Sequence, residues 1–231
     1  PDVRCEALRK AISRFEQVNM EEILCGNGAA ELFFAAVQAV CPQKALVIAP
    51  SFSEYEEALR SVGAEVEYYY LCEEDNFQIR EDYVDKLSEE IDMIFLCNPN
   101  NPTGQTIDRD MLIKILDRCK KQNIVVILDE CFLEFLDEPN RYEMSDLRGE
   151  YPNLLIIKAF TKIFSMPGLR LGYAISSNPD ILEEMSWKLQ QWNVSVPAQM
   201  AGVAALEKPK EYIRQTREYV SGQREYMRNI M

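Results

Sequence analysis

The chain contains no histidine, so any proton it moves must pass through Lys, Asp, Glu, Tyr or Cys, or through a bound cofactor. This removes Ser-His-Asp and Cys-His triads, His-rich zinc sites and imidazole acid–base chemistry. Four short segments carry residues able to do something else. Gly26-Asn27-Gly28-Ala29-Ala30-Glu31 is a glycine-containing turn feeding a helix, whose free N–H groups and positive dipole end suit a phosphate. Asn98-Pro99-Asn100-Asn101-Pro102-Thr103-Gly104 has two Asn-Pro steps and a glycine, which make a rigid turn able to present an amide. Asp129-Glu130 closes the apolar run Ile124–Leu128, where a carboxylate is costly unless paired with a cation or a protonated ring nitrogen. In Lys158-Ala159-Phe160-Thr161-Lys162, followed by Gly168-Leu169-Arg170, Lys162 comes soon after an apolar run. A lysine in an apolar pocket has a lowered pKa and forms Schiff bases, and Thr161 and Arg170 offer a hydroxyl and a guanidinium to one phosphate.

Each segment has a plainer reading when taken alone. Gly-Asn-Gly is an ordinary turn, the Asn-Pro stretch a well-made loop, and Asp129 a helix cap or a carboxylate reaching water. A single Lys-to-Arg spacing carries no weight.

The elements that must position these residues are visible as short apolar runs alternating with amphipathic segments. The runs are Ala45–Ala49, Val66–Leu71, Met93–Cys97, Ile124–Leu128, Leu154–Ile157 and Leu171–Ile175, with Ile23–Cys25 as a short seventh. Several lack polar alternation, as strands buried on both faces do. Helical patterns cover Ala29–Val40, Glu54–Val62, Glu81–Ser88, Arg109–Lys121 and Ile181–Leu189, and Pro209–Met231 reads as a long charged helix. Such alternation predicts an α/β fold of βαβ units on a mostly parallel sheet. Ligands on such sheets bind beyond the carboxyl ends of the strands, which is where the four segments fall.

Of 231 residues, 25 are basic and 38 acidic, giving a formal charge of −13. That argues against a nucleic-acid binder, which needs a basic face, but not against a small anion in a locally positive pocket. No run approaches the ~20 apolar residues of a membrane helix, and the opening PDVRCEALRK does not read as a signal peptide. Seven scattered cysteines, odd in number and without a CxxC pair, predict reduced thiols in a cytoplasmic setting. Cys97 and Cys131 read as small buried hydrophobes, and no metal site is predicted. Neither end carries a lead-in or a stop signal, so the expectation is a piece of a longer chain.

Together, the order and spacing of the four segments resemble the class I/II aminotransferase branch of the aspartate-aminotransferase-like superfamily of pyridoxal phosphate (PLP) enzymes. The resemblance spans nearly the whole chain, from the Pro1-Asp2 start to the last helix, and Asn-Asn-Pro-Thr-Gly with Thr-Lys…Gly-Leu-Arg is its specific pair. It implies a PLP-dependent transferase-like large domain, a three-layer αβα body with about seven strands over residues 1–208. Residues 209–231 then begin a helix leading to a small domain absent from this chain. It implies PLP as cofactor, with Lys162 forming the Schiff base and shuttling protons at the substrate Cα. Asp129 pairs with the pyridinium nitrogen so that the ring acts as an electron sink. By the same resemblance Asn101 hydrogen-bonds the ring's phenolic oxygen, and Phe52, in Pro50-Ser51-Phe52-Ser53-Glu54-Tyr55, stacks on the ring. Ala29 and Ala30 hold the phosphate through backbone N–H groups, helped by Thr161 and Arg170.

One departure matters. Many family members have a tyrosine where this chain has Phe132, so the phenolic oxygen loses a hydrogen bond and the Schiff base is expected to have a higher pKa. The stretch from Ile163 to Tyr173 resembles both the histidinol-phosphate aminotransferase and the threonine-phosphate decarboxylase branches. Asp129-Glu130-Cys131-Phe132 and Gln190-Gln191-Trp192-Asn193-Val194-Ser195, before a small-residue helix Ala198–Leu206, look more like the decarboxylase. Trp192 has an alternative reading as a plug between the strand layer and that helix. Arg214, Arg217 and Arg224 read as solvated charges. The resemblance further implies a homodimer acting on a small amino acid or amino-phosphate, with no nucleic acid or membrane partner. A PLP-binding sensor domain of a regulator is the remote alternative, without a visible basic head.

Overall fold

The apolar runs lack polar alternation because both faces of the strands they form are covered. The computed structural model describes residues 2–230; Pro1 and Met231, the predicted limits of the resemblance and of the last helix, lie outside the described residues. In chain order the elements are α1 (Glu6–Glu16), β1 (Ile23–Gly26), α2 (Gly28–Val40), β2 (Lys44–Ala49), α3 (Glu54–Ser61), β3 (Glu65–Tyr70), α4 (Asp82–Asp85) and β4 (Met93–Cys97). They continue with α5 (Arg109–Gln122), β5 (Val125–Asp129), β6 (Leu154–Ala159), α6 (Phe160–Ile163), β7 (Gly172–Ile175), α7 (Pro179–Lys188), α8 (Val196–Ala205) and α9 (Pro209–Ile230). The strands form one sheet in the order β1-β7-β6-β5-β4-β2-β3. β7 runs antiparallel to both of its neighbours, and every other pair is parallel. This is the mostly parallel seven-stranded sheet that the alternation predicts.

Successive side chains of a strand point to opposite faces, so each central strand feeds two cores. Ile94, Leu96, Val126, Leu128, Leu154 and Ile156 pack with Leu8 and Ile12 of α1, Leu112 and Leu116 of α5, and Ala198 of α8. Phe95, Ile127, Leu155 and Ile157 pack on the other face with Leu32 and Phe33 of α2, Leu59 of α3 and Met185 of α7. The result is a three-layer αβα body. β4 is buried along its full length, and Cys97 and Cys131 are buried as expected.

Three elements differ from the expectation. The helix expected over 81–88 is a single α-turn, because the backbone bonds of Tyr83, Val84, Leu87 and Ile91 each reach three residues back rather than four. Tyr83, Leu87 and Ile91 still reach the core, and a tight 3₁₀-like path presents them on one side. α1 was not foreseen as a helix, although its charged, amphipathic sequence holds Leu8 and Ile12 fully buried. α8 begins two residues before the expected small-residue helix and ends one residue before that helix's expected end, capped by Ser195, whose hydroxyl accepts from Ala198 N–H.

Candidate active site

β1, β4, β5 and β6 run in the same direction, so their carboxyl ends open on one side of the sheet. The four chemistry-bearing segments follow those ends. Between them lies an open cleft with a cavity of about 100 Å³. Ala29, Ala30, Phe52, Asn101, Asp129, Thr161, Lys162 and Arg170 all line it, joined by Phe33, Cys131, Phe132 and Ala159.

Asp129 ends β5 and is 5% exposed. Within the protein its partners are neutral donors: Tyr55 O–H donates to Oδ2 at 2.6 Å, and Cys131 N–H to Oδ1 at 2.9 Å. Burial pushes its carboxyl pKa up, against the pull of these hydrogen bonds. Tyr55 is itself fully buried, stacked on Phe95 at 4.8 Å and met edge-on by Phe33 and Phe52. In the sequence Tyr55 stands only as the end of the Phe52 motif. Its spacing three residues after Phe52, on the first turn of α3, was the available signal.

The Asn98–Gly104 turn is fixed by its own amides. Asn98 Oδ1 accepts from Ile107 N–H at 2.9 Å, and its Nδ2 donates to Ile107 O at 3.3 Å. Asn100 Nδ2 donates to Pro50 O at 3.1 Å and to Thr103 Oγ1 at 2.9 Å. Asn100 therefore joins the turn that carries Asn101 to the one that carries Phe52. Both asparagines are buried, and neither was singled out from the sequence beyond its place in the motif.

Lys162 lies on the one-turn helix α6 directly after β6. Phe33, Phe52, Phe132 and Ala159 give the cleft an apolar lining, but it does not bury the lysine. The lysine is exposed, and its Nζ stands 5.7 Å from the Phe132 ring centroid, an arrangement that attracts a cation to the ring face. Arg170 is also exposed. Among the described residues neither Lys162 nor Arg170 is in an ion pair. Two unpaired cations beside a helix start, in a chain of charge −13, make a local anion site.

Two glycines make room for it. Gly28 has φ +82°, and a Cβ there would stand 2.7 Å from Arg170 Nη2. At Gly172, beside it on β7, a Cβ would stand 2.7 Å from Ala29 N. The backbone at the start of α2 thus approaches both the arginine and the neighbouring strand more closely than any side chain permits.

Glu130 leads away from the cleft to the opposite face of the sheet. There Lys158, 4% exposed, lies 2.8 Å from Glu16, 3.0 Å from Glu143, 3.6 Å from Glu130 and 3.9 Å from Glu134. Tyr173 O–H donates to Glu16. Burial drives Glu130 up to about 8, against the attraction of Lys158. Burial also opposes the charge on Lys158, but the carboxylates, Glu16 foremost, win and hold it well above its ordinary value.

Other residues fall elsewhere. Trp192 does not plug a gap: it is 56% exposed, in a left-handed backbone at φ 60°. Arg214 pairs with Glu218 on the surface of α9. Arg217 departs from a purely solvated reading, since its Nε donates to Glu134 O at 2.5 Å. Arg224 is exposed.

The donor set suits pyridoxal phosphate. It combines a primary amine, a seat of free N–H groups with a guanidinium and a hydroxyl, a buried carboxylate, an amide and an aromatic wall, and the missing Cβ atoms at Gly28 and Gly172 clear the anion seat. The comparisons agree with this chemistry. The model of the family "Aminotransferase class I and II" matches residues 1–231, and the chain belongs to that family. A threonine-phosphate decarboxylase of Salmonella typhimurium is 36% identical over 207 residues, covering 90% of this chain and 56% of the relative. A relative from Caldanaerobacter subterraneus, provisionally given the same name, is 39% identical over 227 residues, covering 98% and 61%. Among solved structures, the histidinol-phosphate aminotransferase of Clostridium acetobutylicum aligns with a TM-score of 0.88 at 32% identity, over 98% of this chain and 66% of that one. The chain therefore spans about 60% of the length of the curated relatives it matches. Among the described residues no helix is long and apolar enough to cross a membrane, and no cluster of ligands suited to a metal ion occurs.

Proposed function

We propose that this chain is the cofactor-binding body of a PLP-dependent enzyme acting on a small amino acid or amino-phosphate. The observation that carries the proposal is the convergence of Lys162, Asp129, Asn101 and Arg170, from separate strand ends, on one cleft. PLP, when bound, supplies an electron sink for bonds broken at the substrate Cα. Lys162 provides the amine that anchors the cofactor and moves the proton at Cα, which suits a chain without histidine. Asp129 offers its carboxylate to the ring nitrogen, and a positive charge there offsets the burial that raises its pKa. Asn101 gives its amide to the phenolic oxygen, and Phe52 covers one ring face. Arg170, Thr161 and the N–H groups of Ala29 and Ala30 receive the phosphate.

The decarboxylase branch is the preferred reading, supported by the two relatives that carry that name and by the Asp129–Phe132 and Gln190–Ser195 stretches. The aminotransferase reading has its own support in the fit to the Clostridium acetobutylicum enzyme. The two differ in which bond at Cα lies perpendicular to the ring, and hence in the groups that orient the substrate. The proposal includes a cytoplasmic homodimer without nucleic-acid or membrane partners. It divides the chain after residue 208, where α9 leaves the body with Ile213 as its buried anchor.

The test gives the complete protein PLP, O-phospho-L-threonine and 2-oxoglutarate, and follows carbon dioxide and glutamate together. Carbon dioxide without glutamate supports the decarboxylase. Glutamate without carbon dioxide supports the aminotransferase. No product, and no change in absorbance on adding PLP, would overturn the proposal altogether.

A further inference from the structure

We propose that Glu31 is the positioning residue of the anion seat, holding the start of α2 in place by tying it to the loop of residues 190–195. The inference rests on reading that seat as the place of the PLP phosphate.

An asparagine before a helix ordinarily caps it by accepting from the N–H groups of the first turn. Asn27 stands in that position and its side chain makes no such bond. Had it done so, it would occupy N–H groups that an anion needs. Glu31, one turn further on, reaches back instead. A single carboxylate oxygen, Oε2, accepts from Asn27 N–H at 2.6 Å and from Asn193 Nδ2 at 2.7 Å. The Asn193 amide also donates to Cys25 O at 3.5 Å, on β1 just before the turn. The turn is thereby gripped from outside the cleft, and the N–H groups of residues 28–30 stay available to a ligand.

The electrostatics point the same way. A carboxylate in the first turn suits the helix dipole but opposes a phosphate bound at the same end. Glu31 does not line the cleft, and its bonded oxygen is directed at two neutral donors. Its benefit to an anion is therefore geometric. On the far side of the link, Asn193 follows Trp192, an exposed tryptophan in left-handed backbone, a conformation unfavourable for a bulky side chain. The Glu31–Asn193 bond is one of the contacts that hold this loop, and it ties the loop to the seat.

The test measures equilibrium binding of PLP and of pyridoxal, which lacks the phosphate, to the complete protein and to Glu31→Ala, Glu31→Gln and Asn193→Ala. Glu31→Ala is expected to weaken PLP about tenfold or more and to leave pyridoxal within about twofold. Asn193→Ala reproduces part of that loss. Glu31→Gln, which keeps an acceptor for both donors, stays within about threefold of the parent. Should Glu31→Ala not fold, Asn193→Ala and Glu31→Gln carry the comparison. Equal losses for both compounds, or unchanged PLP affinity in Glu31→Ala and Asn193→Ala, overturn the inference and leave the PLP reading standing. A parent that binds neither compound overturns both.

Discussion

The hydroxyl of Tyr55 donates to Oδ2 of Asp129 at 2.6 Å, across 74 residues of sequence. Tyr55 is 0% exposed and Asp129 5%, so the bond is made at the buried edge of the cleft. Tyr55→Phe keeps the ring packing and strands Oδ2 in the core. An unsatisfied buried acceptor costs about 1–3 kcal/mol, and the variant is expected to lose that much stability in urea denaturation. PLP affinity should fall as well, because the carboxylate is less firmly held. An unchanged denaturation midpoint and unchanged affinity would show that the bond contributes nothing.

Phe132 stands where many family members have a tyrosine, and its ring faces Lys162 Nζ at 5.7 Å. On the proposed PLP reading, Phe132→Tyr would offer the cofactor's phenolic oxygen a hydroxyl. The pH at which the bound cofactor's absorbance titrates is expected to fall relative to the parent. Superimposable titration curves would sink the idea and leave Phe132 as a packing residue.

Gly28→Ala separates strain from ligand loss. At φ +82° an alanine is strained by about 1–2 kcal/mol, and the new methyl also displaces the Arg170 guanidinium, 2.7 Å from the built Cβ. The variant should show a modest drop in stability and a larger, phosphate-specific drop in PLP affinity. Loss of stability with undiminished PLP affinity would mean that Arg170 plays no part in the seat.

Glu130 gives the protein a pH signature unrelated to the cleft. Its carboxyl is raised from 4.5 to about 8 on folding, chiefly by burial. A raised acid favours the folded state while protonated, so this contribution is complete below pH 4.5 and is lost as pH rises to about 8. Glu130→Gln cannot ionise. Between these limits the stability difference, variant minus parent, should therefore grow with pH in chemical denaturation. A difference independent of pH would mean that Glu130 is ionised throughout.

The strands and their mostly parallel arrangement were legible because burial on both faces removes most polar residues from β2, β4, β5 and β6, which leaves a mark in the sequence itself, whereas the strand order and the antiparallel β7 left none. The residues gathered at the cleft were legible for a related reason: Asn101, Asp129 and Lys162 each follow an apolar run closely, so the strand predicts where they emerge. What stayed hidden depends on pairs far apart in sequence. Tyr55 reads as a core aromatic until Asp129 is brought to it, and Glu31 as a solvated helix charge until Asn193, 162 residues away, reaches its carboxylate. Lys158 belonged to a quoted motif, yet its partner Glu16 lies on α1, 142 residues earlier. The alternative reading of Trp192 as a plug rested on its bulk, whereas the turn between α7 and α8 leaves it outside.

Asp129 and Glu130 are chemically near-twins in adjacent positions, yet one lines the cleft and the other meets Lys158 on the reverse side of the sheet. The end of β5 therefore works by parity. Inserting or deleting one residue within the strand would deliver the wrong carboxylate to each side, placing the aspartate among the glutamates and the longer acid in the cleft. A loop that positions no site residue tolerates changes in length. The five residues of β5 do not, and a sequence of this family that carried a single-residue insertion there would have to have changed its chemistry on both faces at once.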